Sequence, residues 1–120
     1  VLDPDLQEIG IALANTGSDL QTLRSWFPEL DFSGLPVNWY MKQGDWSPDR
    51  AAVARRVARI LQGLEVKLGS LQDTGRPDVV VVTHGGVIAE LVPGLDMPVA
   101  SWKSFMLEKR SNGQLFLKAV

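Results

Sequence analysis

The stretch VVVVTHGGVIAELVPG, residues 79–94, contains the single histidine of this 120-residue chain. Four valines and a threonine make a continuous β-branched run, the pattern of a strand buried on both faces. The segment GVIAELVPG then reads as a short helix ended by Pro93 and Gly94. His84 thus falls on a strand-to-helix turn. In open α/β sheets, ligands collect at the carboxyl ends of strands, where the next helix presents unpaired N–H groups. Gly85 and Gly86 carry no Cβ, so a ligand can approach the backbone, and the helix start favours an anion such as phosphate. Two readings of His84 are open at this level. It stabilises a phosphoryl group in transit, or it caps the turn or bonds in a mixed polar pocket while Gly-Gly lets the chain reverse.

Upstream, SPDRAAVARRVARILQGLEVKLGSL (47–71) carries the strongest helical signal. Val53, Val57, Ile60, Leu61, Leu64 and Leu68 recur at helical spacing, so one stripe faces a core, and the arginines fall mostly on the other side. Ser47 is the expected N-cap, Pro48 the first helical residue, and Asp49 complements the positive end of the dipole. Leu20, Leu23 and Phe27 mark a shorter helix capped by Ser18 or Asp19 and stopped by Pro28. Residues 29–46, rich in turn residues and aromatics, read as an ordered loop. Residues 1–17 read as strand or loop. SFMLEKR and QLFLKAV, joined through Asn112-Gly113, predict a closing hairpin. Together these elements predict an α/β fold in one domain, residues 1–120, with helices covering a sheet.

Composition narrows the function. Hydrophobic residues are 45% and charged residues 22% of the chain, values of an ordinary folded domain rather than a disordered one. A net charge of −2, with basic residues clustered only around Arg50, Arg55, Arg56 and Arg59, argues against nucleic-acid or anionic-membrane partners. The absence of cysteine excludes disulfides, a thiolate nucleophile and Cys-ligated zinc, and a lone histidine makes a transition-metal cage an unfavoured reading. No apolar run approaches the roughly 20 residues of a membrane helix. Trp26, Trp39, Trp46 and Trp102 are expected to pack in the core or loops rather than to form a binding stripe.

A second residue of interest is Glu8, in PDLQE (4–8). A carboxylate in a partly enclosed phosphate site can donate a proton to a leaving oxygen. The competing reading is a solvated glutamate on a loop.

The run VVVVTHGGVIAEL resembles the second-histidine segment of the histidine phosphatase superfamily, the phosphoglycerate mutase-like proteins, in which a strand ends in Ser/Thr-His-Gly-Gly before a helix. PDLQE is similar to the Leu-x-Glu segment that carries the family's acid/base carboxylate. PDLQEIGIALANTGSDLQTL (4–23) is most similar to the fungal branch, and the long helix and closing hairpin follow the family's order of elements.

This resemblance implies a phosphoglycerate mutase-like sheet flanked by helices, and a two-step transfer through a phosphohistidine. Glu8 would protonate the leaving group. His84, with Gly85 and Gly86, would hold the phosphoryl oxygens as charge shifts. The implied substrate is a small phosphorylated molecule or phosphate, with no metal and no organic cofactor.

The departure from the family pattern is large. The nucleophile belongs to an Arg-His motif near the N-terminus, with a phosphate-binding Ser-Pro-x-x-Arg segment upstream of Leu-x-Glu, and neither is present. His84 cannot be both nucleophile and partner. SPDR (47–50) lies after Glu8 and is better explained by helix capping, so Arg50 is not assigned to the site. The expectation is a C-terminal portion of such a domain that lacks the first strand and catalytic loop and is inactive by itself. Its unpaired sheet edges would favour self-association. The alternative is a non-catalytic module that binds a phosphorylated ligand or a protein.

Overall fold

The computed structural model describes all of residues 1–120. Its axis is α2, Arg50–Leu71, the helix announced by the apolar stripe. Val53, Ile60 and Leu61 of that stripe are buried, and Val57, Leu64 and Leu68 are half-buried. The cap is Asp49, not Ser47, and Pro48 lies outside the helix: Asp49 Oδ1 accepts from the Ala52 amide at 2.9 Å. A charged acceptor bonds helix-end amides more strongly than a hydroxyl does, and the Ser47 hydroxyl instead accepts from the Asp49 amide at 3.4 Å.

Against α2 pack α3 (Gly85–Leu91) and the antiparallel hairpin of β1 (Phe105–Lys109) and β2 (Leu115–Ala119), and a shorter helix, α1 (Leu20–Trp26), precedes α2 in the chain. Asp19 caps α1 by accepting from the Thr22 amide at 2.8 Å. The hairpin pairs Phe105 with Ala119 through Lys109 with Leu115. Its turn uses Gly113 at φ 88°, a conformation glycine adopts without penalty. Lys109 bonds Glu65 at 2.8 Å, tying the hairpin to α2. Val87 of α3, Phe32 and Leu35 of the 29–46 loop, and Ala52 complete the buried apolar set. Residues 1–17 form two short 3-10 turns, Pro4–Leu6 and Leu13–Asn15, rather than a strand.

Helices and a two-stranded sheet together are an α/β mixture in the general sense. Residues 79–83 correct the expected buried strand. They belong to no sheet, and none of their backbone groups bonds to another backbone group. Val80 and Val82 are 90% and 85% exposed. A strand exists only where a neighbour completes its ladder, and here no backbone segment pairs with the run.

Two further expectations hold in part. Trp26 and Trp102 are exposed, whereas Trp39 and Trp46 are half-buried and donate through their indole N–H groups to Ser18 O and Asp5 Oδ1, both at 3.1 Å. Arg56 is not on the solvent face of α2 but fully buried.

The packing as a whole is open. The chain exposes 8584 Å², against about 6,400 Å² from the size scaling of folded monomers of its mass. Its radius of gyration is 15.2 Å, against about 13.6 Å for a compact domain of this length. No helix is long and apolar enough to cross a membrane.

Candidate functional site

Segment PDLQE is held to the body of the protein by side chains of α2 and of the 29–46 loop. The Asp5 carboxylate accepts from Arg59 Nε at 2.9 Å and Nη2 at 2.6 Å. Gln7, itself buried, donates through Nε2 to Pro4 O at 3.0 Å and Trp39 O at 2.7 Å and accepts from Lys42 Nζ at 3.1 Å. Arg56 donates to the carbonyls of Asp5, at 2.6 Å, and Gln7. Lys42 also donates to the carbonyl of Glu8.

This anchoring brings Glu8 to the turn after the valine run. Glu8 Oε1 accepts from the Ile9 amide at 2.8 Å and Oε2 from the Gly86 amide at 3.4 Å. A Cβ at position 86 would collide with the Glu8 carboxylate, so this contact requires glycine there. Gly85 is exposed with open space around it and has no such constraint. Thr83 Oγ1 donates to Leu6 O at 2.8 Å, a second link between the two segments. Glu8 is therefore half-buried rather than a solvated loop residue.

His84 takes the N-cap position of α3 with extended dihedrals, and its side chain makes no capping hydrogen bond. The turn-capping reading of this histidine finds no support in that geometry. The imidazole is exposed. His84 and Glu8 line one cavity of about 780 Å³, walled by Leu6, Ile60, Leu64 and the valine run. That volume lies within the range of small-molecule sites. The Gly86 amide, expected to face a ligand, is already taken by the Glu8 carboxylate, an anion standing where a phosphate oxygen was expected.

Two cations near Glu8 were not singled out from the sequence. Burial holds Lys42 below the usual ammonium range, Arg56 adds to the effect by repulsion, and Glu8 opposes it. Burial likewise depresses Arg56, against the attraction of Asp5. Arg59 is shifted upward, chiefly by its hydrogen bonds to Asp5. Arg56 lies on the α2 face bearing Val53 and Ile60, and that spacing was the one available signal. No group of three or more histidine, aspartate or glutamate side chains converges to hold a metal ion.

No protein-family model matches the chain, and no curated protein and no solved structure matches it either.

Proposed function

We propose that these residues form the acid/base half of a phosphotransfer site of the histidine phosphatase type. Glu8 serves as proton donor to the leaving oxygen, and His84 holds the phosphoryl oxygens. The observation that carries this reading is the convergence of Glu8 and His84, far apart in sequence, on one cavity, with the Glu8 carboxylate on the Gly86 amide.

The nucleophile is not among these residues, because His84 is the only histidine. In the proposal it arrives on an extended segment that pairs with Val79–Thr83 and completes a phosphoglycerate mutase-like sheet. The unbonded backbone and exposed valines of that run support this, as does an excess exposed area of about 2,000 Å², the scale of a large interface. The same exposed run favours the second reading, a non-catalytic module that binds a phosphorylated ligand or a protein through this edge. Self-association through it belongs to either reading.

The test is the melting temperature with inorganic phosphate or vanadate, alongside p-nitrophenyl phosphate turnover. Both anions are expected to raise the Tm of the wild type but not of His84→Ala, with no turnover by these 120 residues. Equal responses of the two proteins would sink the phosphate reading. Metal-independent turnover that survives His84→Ala would sink the assignment of roles.

A further inference from the structure

Arg56 is 1% exposed, the most deeply buried charged residue in the chain. It forms no salt bridge, and its Nη1 has no hydrogen-bond partner. A buried cation is ordinarily retained opposite a carboxylate, and an orphaned donor is a cost that a smaller or apolar residue would avoid. What Arg56 does hold is main chain, through Nε on Asp5 O and Nη2 on Gln7 O.

The Gln7 carbonyl and the Glu8 nitrogen belong to the same rigid peptide plane. The Glu8 carbonyl belongs to the next plane, and Lys42 donates to it. Both planes flanking the Glu8 Cα are thus pinned, one by Arg56 and one by Lys42. With these planes held, φ and ψ of Glu8 are set, and its side chain leaves the backbone in one direction, toward Gly86. Lysine at position 56 could reach one carbonyl; the guanidinium fork spans two.

We propose that Arg56, assisted by Lys42, is the positioning residue for the Glu8 carboxylate. The inference rests on the reading of Glu8 as the site's acid, and its geometry does not depend on which phosphate ester is the substrate. Arg56 touches no reacting atom in this scheme.

The experiment is an NMR pH titration of the Gly86 amide in the full chain, with Glu8→Gln defining the part of the response due to Glu8. The wild type is expected to show a Glu8-dependent shift of that amide. In Arg56→Lys the Glu8-dependent part is expected to fall several-fold while helical circular dichroism and the β1–β2 amide shifts stay in place. Three outcomes overturn the proposal: no Glu8-dependent response in the wild type, an undiminished response in a folded Arg56→Lys chain, or loss of the helical signal in both Arg56→Lys and Arg56→Gln, which would make Arg56 a general folding residue. Adding inorganic phosphate and following the His84 imidazole separates the two ideas. A silent His84 would end the phosphotransfer reading and leave the Arg56 result standing.

Discussion

The Glu8 carboxylate and the Gly86 amide meet across 78 residues of sequence. The contact exists because glycine at 86 leaves the space that a methyl group would fill. Gly86→Ala therefore pushes the carboxylate away while improving helix propensity by up to about 1 kcal/mol. Urea denaturation is expected to show stability held within about 1 kcal/mol of the wild type, while the phosphate-induced rise in Tm changes. An unaltered phosphate response would mean that the Glu8 carboxylate's place on this amide is irrelevant to binding.

Asp5 joins Arg59 and Trp46 to the PDLQE segment. Its side chain is 15% exposed and that of Arg59 34%, so solvent screens the pair in part. Asp5→Ala is expected to cost about 1 kcal/mol and to alter Trp46 fluorescence in the native state. No change in either would show that the contacts of Gln7, Lys42, Arg56 and Thr83 hold the segment without Asp5.

Val82 faces solvent beside an unbonded backbone. Val82→Lys should change stability by no more than about 0.5 kcal/mol, as surface substitutions usually do, and should reduce self-association in sedimentation velocity. A loss above about 2 kcal/mol would instead place this side chain in a packed interior.

Acid should weaken α2 from its N-terminal end. The Ser47 hydroxyl and the Ala52 amide hold Asp49 below the ordinary aspartate range. A carboxylate with a depressed folded pKa binds fewer protons folded than unfolded, so its stabilisation is complete above the unfolded value, about 3.9. It is lost as pH falls through the lower folded value. Circular dichroism on acidification should show the wild type losing more stability below about pH 4 than Asp49→Asn does. At neutral pH, Asp49→Ala should lower the Tm by a few degrees, through the lost cap. Parallel acid curves for wild type and Asn variant would remove Asp49 from the account.

The elements legible in the sequence are those whose causes lie within a few residues. The stripe from Val53 to Leu68 and the Asn112-Gly113 turn each needed only local spacing, and α2 and the hairpin formed where they pointed. The Thr-His-Gly-Gly turn was also local, and it opens α3 with His84 at the N-cap position. Choosing between Ser47 and Asp49 as cap was harder, because both are good acceptors two residues apart and only the final backbone path decides which reaches the Ala52 amide.

The rest depended on tertiary structure. β-branched residues favour an extended backbone, but a strand needs a neighbour, and five residues cannot state whether one is there; Val79–Thr83 has none. Glu8 reads as a loop glutamate until the chain folds it onto Gly86. Arg56 sits among other arginines in sequence, and it is buried because two carbonyls some fifty residues earlier lie within reach of its guanidinium. Local spacing determines which faces a helix offers, whereas the partner of a buried charge or an unpaired strand is set by segments distant in the chain.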